Sequence, residues 1–193
     1  MHLIHYYMLP HIVALVGCDG SGKSTITSKL KKIYPATYIH EPYHPHIISQ
    51  INSSTSVFDK INLFAQDRYL LYTSLDFNTT IISDRSFLCS MVYQSLELES
   101  LQWDTFQSIK YIYDAQIGLI PPTLVIYIHA NPDIIHHRLQ TRDKSHHLSI
   151  EQIIKIQERY NYIFKLLHIN VLSIDTGSTS IENNISKIIS HLQ

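Results

Sequence analysis

The sequence predicts an α/β protein: three layers, α/β/α, around a five-stranded parallel sheet, with a short lid. Three observations carry this. Short apolar runs of strand length alternate with longer stretches of helical pattern along most of the chain. The first run, Ile12-Val13-Ala14-Leu15-Val16, leads into a glycine-rich turn and then a helical pattern, the opening of a β-loop-α unit. The clearest run, Leu124-Val125-Ile126-Tyr127-Ile128, is apolar throughout, as a strand covered on both faces should be.

The elements follow in order. Residues 11–16 form the first strand, and a helix runs from the glycine turn to about Tyr34, where Pro35 stops it. Thr37 to His40 reads as a second strand. It ends at Glu41-Pro42-Tyr43-His44-Pro45, where two prolines argue for irregular structure. A polar link, 52–56, precedes a helix from Val57 to about Phe77. Thr80 to Asp84 is the third strand, followed by helices over Ser86 to Glu99 and Trp103 to about Ile117. After Pro121-Pro122 comes the fourth strand. Asn131-Pro132 then opens a helix with a capping residue and a proline in its first turn. Residues 141–149 are polar and charged and read as the lid. Ile150 to Leu167, Val171 to Ile174 and Ile181 to Leu192 complete the chain as helix, strand and helix. Residues 1–10 read as an N-terminal extension and 11–193 as one domain.

Composition narrows the function. With 193 residues and 45% hydrophobic content the chain can bury a sizeable core. A net charge of −1 gives no electrostatic footprint for nucleic acid or an anionic membrane. No apolar run approaches the roughly 20 residues that span a bilayer. Met1 to Pro10 does not have the make-up of a signal peptide. Two cysteines, Cys18 and Cys89, suggest neither a disulfide framework nor a zinc site, so a reducing, cytoplasmic setting is expected. The thirteen histidines fall in no zinc spacing and read as structural or solvated.

The chemistry starts at the glycine turn. Gly17-Cys18-Asp19-Gly20-Ser21-Gly22-Lys23-Ser24-Thr25 fits G-x-x-x-x-G-K-[ST] at every fixed position. Such a loop turns consecutive backbone N–H groups toward a phosphate, with the helix N-terminus behind them. Lys23 would reach the β- and γ-phosphates of ATP and the Ser24 hydroxyl would ligate Mg²⁺. Because ligands of such sheets lie beyond the carboxyl ends of the strands, Glu41-Pro42, Asp84-Arg85 and the segment after Ala130 should join the loop in one cleft. Asp84 could hold the metal through water and Arg85 could clamp a second phosphate; the plain alternative is a capping Asp and a surface Arg. Phe64 and Arg68 share a helix face. They suit a stacked base and its polar edge, although on spacing alone a core Phe and a surface Arg fit better. Arg138 and Arg142, also four apart, could supply cations to a transferring phosphoryl group or form a solvated helix end.

These segments resemble the thymidylate kinases, within the nucleoside and nucleoside-monophosphate kinase group of phosphate-loop proteins. The loop with Asp19 at its third place, Leu63-Phe64-Ala65-Gln66-Asp67-Arg68, and Asp84-Arg85 followed by Tyr93-Gln94 match that family's segments in order and spacing. The resemblance implies a P-loop kinase fold, ATP and Mg²⁺ as cofactors, nucleotide substrates, and a homodimer packed through helices beside the cleft. It also implies roles. Asp19 sits near the acceptor sugar and the metal, Phe64 stacks on thymine, and Arg68 binds the base edge. Arg85 holds the acceptor phosphate, Tyr93 crowds the sugar 2′ position, and Gln94 lies beside the base pocket with Ser90. Arg142, with Arg138, provides the lid cation, because the loop itself carries no Arg. The chain departs from the family pattern at His40, where Arg is usual, at Tyr43-His44 in place of Gly-Gly, and at Ser86. Asp84-Arg85-Ser86 and Glu41-Pro42 are also similar to the deoxynucleoside kinases, in which a Glu before Pro is the base. The expected activity is phosphorylation of dTMP to dTDP. The alternatives are a deoxynucleoside kinase using Glu41 as base, and a nucleotide-binding module without kinase activity.

Overall fold

The computed structural model describes residues 11–116, 118–142 and 148–192. The expected N-terminal extension, and residues 143–147 of the expected lid, lie outside them. Five strands, β1 (Ile12–Val16), β2 (Thr37–His40), β3 (Ile81–Asp84), β4 (Leu124–His129) and β5 (Val171–Asp175), pair in the order β2-β3-β1-β4-β5, and every pairing is parallel. Helices α1 (Lys23–Leu30), α2 (Pro45–Ser53), α3 (Val57–Thr73), α4 (Phe87–Ser100), α5 (Thr105–Asp114), α6 (Pro132–Arg142), α7 (Ile150–Leu166) and α8 (Ile181–Leu192) connect them. The three-layer α/β/α fold is as the sequence predicts.

The alternation of strand side chains explains the layers. Ala14, Val16, Val125 and Tyr127 face a core shared with α3, α4, α5 and α7. Val13, Leu15, Ile126 and Ile128 face the opposite core, closed by Ile26 and Leu30 of α1 and Ile185 and Ile188 of α8. All five residues of β1 are buried, so its run lacks the polar alternation of a half-exposed strand. The register sets the cleft. Leu15 and His40 both lie opposite Asp84, and His129 lies opposite Asp175, so the strand ends form one rim.

One element differs from the sequence reading. Residues 45–53 form α2, beginning on the last residue of the proline loop, 41–45, and running through a stretch the sequence reading left unassigned into the polar link. Pro45 does not break this helix but starts it, at a position whose N–H would lack an intrahelical partner in any case. Three helices are also shorter than expected: α1 ends at Leu30, α3 ends at Thr73 and α5 spans Thr105–Asp114. Ser56, Ser86, Asp104 and Ser149 cap their helices through side-chain oxygens, and Ser149 with Gln152 closes a full capping box.

Candidate active site

Two cavities meet at the strand ends. The first, about 560 Å³, is lined by the loop residues Asp19, Gly20, Gly22, Lys23, Ser24 and Thr25, and by Arg138, Arg142 and Thr176. The second, about 480 Å³, is lined by Glu41, Pro42, Phe64, Arg68, Ser90, Tyr93 and Gln94. Asp19, His40 and Arg85 border both. Every site residue expected from the sequence therefore lies on one of the two walls or within the loop. Gly17, Cys18 and Ser21 are the loop residues that face away from both cavities: Cys18 and Ser21 are buried, and burial pushes the Cys18 thiol up to about 11.

The loop's shape depends on its glycines at two points. Gly22, the residue before α1, has φ +100°, a conformation that costs a side-chain-bearing residue free energy. A Cβ at Gly17 would lie 2.0 Å from the Ile128 carbonyl oxygen, so no other residue fits beside β4. Lys23 Nζ donates to the carbonyls of Gly17 and Cys18, each at 2.9 Å, and lies 3.6 Å from Asp19 Oδ1. Tyr160 of α7, fully buried, also directs its hydroxyl at Gly17 O, at 3.3 Å.

Charges converge where the cavities meet. Arg85 Nη2 donates to Asp19 Oδ1 at 2.6 Å. Burial alone would raise the Asp19 carboxyl, but Arg85 and Lys23 outweigh it and hold it below the usual carboxylate range. Burial likewise works against the charge on Arg85, yet Asp19 raises its pKa above the ordinary guanidinium value. Arg85 has φ +81°, outside the conformations an Arg ordinarily adopts. Its N–H donates to Leu15 O, and the buried Ser83 hydroxyl donates to its carbonyl at 2.7 Å, so two fixed bonds hold the strained turn. Asp84 is buried beside it, and among the described residues its Oδ1 has no hydrogen-bond partner. An orphaned buried carboxylate oxygen and the exposed Ser24 hydroxyl, both on the first cavity, form the hard-oxygen donor set that suits Mg²⁺.

The second cavity is shaped by α3 and α4. Arg68 is not the surface residue that its spacing alone favoured: it is 3% exposed. Its Nε donates to Glu41 Oε2 at 2.7 Å, and the Tyr72 hydroxyl donates to Glu41 Oε1 at 3.2 Å. The Gln94 side chain is buried on the cavity wall, and among the described residues its Oε1 has no partner. Tyr93 has its hydroxyl bound by the Asp19 N–H at 3.1 Å, which ties α4 to the loop as well as walling the cavity.

Asp67 was read only as part of the family segment, with no role assigned to it. It is 1% exposed and accepts the N–H groups of Tyr43 and His44, each at 2.8 Å, together with the His44 ring. Adjacent residues of α3 thus grip both sides of one loop, Arg68 at Glu41 and Asp67 at Tyr43 and His44. This fixes where α2 begins and where its cavity-lining Ile48, Ile51 and Asn52 lie. Lys60 and Glu97, which also line this cavity, are ion-paired at 2.9 Å. Arg138 does not hang free at the lid: its Nη1 and Nη2 donate to Thr176 Oγ1 and O, each at 2.9 Å. Arg142, one turn on, is exposed. Among the described residues, no helix is long and apolar enough to cross a membrane.

Known proteins share this architecture and sequence. A family model described as thymidylate kinase matches residues 15–188. The chain is 27% identical to a probable thymidylate kinase of Picrophilus torridus over 84% of its own length and 86% of that protein's. It is 29% identical to a thymidylate kinase of Campylobacter hominis, over 86% and 92%. Two solved structures share the fold at 20% identity. The thymidylate kinase of Candida albicans superposes with a TM-score of 0.74, covering 94% of this chain and 90% of that one. A deoxyadenosine kinase from M. mycoides superposes with a TM-score of 0.70, covering 94% and 97%. With the phosphate loop, the α3 and α4 segments and the family match agreeing over most of its length, the chain belongs to the thymidylate kinase family.

Proposed function

We propose that the protein transfers the γ-phosphoryl group of ATP to dTMP, giving dTDP and ADP. The observation that carries this reading is the meeting of two cavities at Asp19 and Arg85: a phosphate loop on one side, and a wall with an aromatic ring, a buried arginine and an unpartnered amide on the other. In the reaction, an oxygen of the acceptor phosphate attacks the γ-phosphorus as the bond to the β–γ bridging oxygen breaks, and ADP leaves with that oxygen. The acceptor oxygen is already an anion, so no general base is needed, and catalysis is positioning and charge neutralisation.

The residues divide accordingly. Loop N–H groups and Lys23 hold the donor phosphates, and Ser24 with Asp84 would hold Mg²⁺, Asp84 partly through water. The bound cation neutralises charge on the phosphates. Arg85 holds the acceptor phosphate and keeps Asp19 ionised near the sugar. Phe64 stacks on the base, while Arg68, Ser90 and Gln94 address its edge. Tyr93, fixed by Asp19, fills the space a 2′-hydroxyl would need. The two arginines of α6 take different parts: Arg138, pinned by Thr176, braces the donor nucleotide, and Arg142 supplies the mobile cation of the transition state.

The state of Glu41 weighs against the nucleoside-kinase alternative. Both of its carboxylate oxygens are engaged, by Arg68 and Tyr72, and it is 2% exposed, a poor arrangement for taking a proton from a 5′-hydroxyl. The deciding measurement is ADP release with ATP, Mg²⁺ and a panel of nucleosides and nucleoside monophosphates. We expect dTMP to give the highest kcat/KM; turnover of thymidine or another nucleoside in preference to any monophosphate would overturn the reading. In the same assay, Glu41→Gln should lower the rate less than about tenfold, against about 10²–10⁴ for loss of a general base.

We further propose a homodimer in the cytoplasm. Exposed Tyr69 and Leu70 on α3 and Phe106 and Tyr113 on α5 offer apolar surface on these two helices, and the two free, buried thiols suit a reducing compartment. Light scattering at micromolar concentration tests the dimer; a mass of 22.4 kDa, that of one chain, would exclude it.

A further inference from the structure

Arg68 sits on the acceptor cavity with more partners than its motif suggests. Glu41 takes its Nε, the Gln116 Oε1 takes Nη1, and Ser90 Oγ lies at a long 3.4 Å from Nη2. A guanidinium has five N–H donors and no acceptor. One N–H on each Nη therefore remains for a ligand, and what those groups can read is a carbonyl oxygen. A base presenting an amino group in that place would set donor against donor.

Where the remaining donors point depends on how the guanidinium plane is held. Glu41 alone would leave the plane free to pivot about the Nε bond. A second anchor on Nη1 stops that pivot. Gln116 is suited to the task because its own amide is oriented. It follows the last turn of α5, and its Nε2 donates back to Ile112 O at 2.9 Å, one of the carbonyls that a helix end leaves without an intrahelical partner. With the NH₂ committed there, the oxygen faces Arg68.

We propose that Gln116 is a positioning residue for the acceptor site: it aims Arg68 at the base edge and so favours bases with a carbonyl in that place over bases with an amino group. The inference rests on reading the second cavity as the acceptor nucleotide site. It assigns a role in acceptor choice to the end of α5, 48 residues from Arg68 and outside the three segments that carry the family resemblance.

The test is steady-state kinetics of the wild-type protein, Q116L and Q116E with ATP and either dTMP or dCMP. Leu removes the acceptor at similar size, whereas Glu gives up the Nε2 bond to Ile112 O but keeps an oxygen acceptor, now charged and drawn to Arg68 itself. Q116L should raise the KM for dTMP about tenfold, the scale of one hydrogen bond to a charged group, and lower the dTMP/dCMP ratio of kcat/KM by a similar factor. Its KM for ATP should stay within about twofold. Q116E should hold both acceptor quantities within about threefold of wild type. A Q116L enzyme with unchanged dTMP KM and unchanged ratio overturns the proposal. So does a Q116E enzyme as impaired as Q116L, or a parallel rise in the ATP and dTMP KM values, each of which marks a general structural role. If Q116L does not fold by circular dichroism, Q116M takes its place. A wild-type protein that does not use dTMP marks failure of the acceptor reading instead, and the Gln116 comparison is then made on the carbonyl- and amino-bearing monophosphates it does use.

Discussion

The donor and acceptor cavities are of similar size but are built in opposite ways. The donor wall centres on one short loop, Asp19 to Thr25, whose main function is to shape a backbone. The acceptor wall is assembled from side chains scattered from Asp19 to Glu97, and its key arginine is held by residues 27 and 48 positions away. A backbone cradle recognises what all nucleoside triphosphates share. A side-chain cradle can recognise what distinguishes one acceptor from another, and it depends on α2, α3, α4 and the end of α5 all being in place.

The largest test of that division is Lys23→Ala. It removes the one buried ammonium of the donor wall and should cost about 10³-fold in kcat, by the scale of losing an electrostatic contact to the transition state. A coupled assay of ADP formation reads it directly, and a rate within tenfold of wild type would mean that the loop does not work as described. Next comes Arg85→Ala, on the acceptor side of the junction. We expect the dTMP KM to rise about 10- to 100-fold, the scale of one or two charge-assisted hydrogen bonds, while the ATP KM moves less than about threefold. If both rise together, the two cavities are not separate recognition units. The smallest effect should separate the arginines of α6. Arg142→Ala should lower kcat by about tenfold or more with little change in ATP KM, and Arg138→Ala should do the reverse. Identical profiles would remove the distinction drawn from the Thr176 contacts.

The same contrast explains what could be read from the sequence. The loop is contiguous and its chemistry is spelled by residue type, so Lys23 and Ser24 were legible at once, and Asp19 through the family resemblance. The sheet was legible because β1 and β4 are apolar without alternation. Arg68 was legible as a family position but not as a buried residue, because the carboxylate that makes its burial tolerable, Glu41, belongs to a distant loop. Asp67 was quoted with its family segment but given no role, because its main partners are backbone N–H groups, which nearly any residues at 43–44 would supply. Gln116 is a polar residue just past a helix end, indistinguishable in one dimension from loop filler. Helix α2 was missed because Pro45 carries the same letter whether it ends regular structure or begins it.

Thr176 gives the fold a temporal consequence. Its single hydroxyl donates to Ser21 O, 155 residues away, at 2.7 Å and accepts from Arg138, joining the phosphate loop to α6. The loop leaves the ribosome early, yet the donor wall acquires this brace only after β5 has been made and added to the edge of the sheet. A nascent chain halted before Thr176 would carry the whole phosphate-binding motif and still lack the tie between that loop and α6. Nucleotide affinity measured on stalled chains of increasing length should therefore rise late, near residue 176, rather than soon after residue 25.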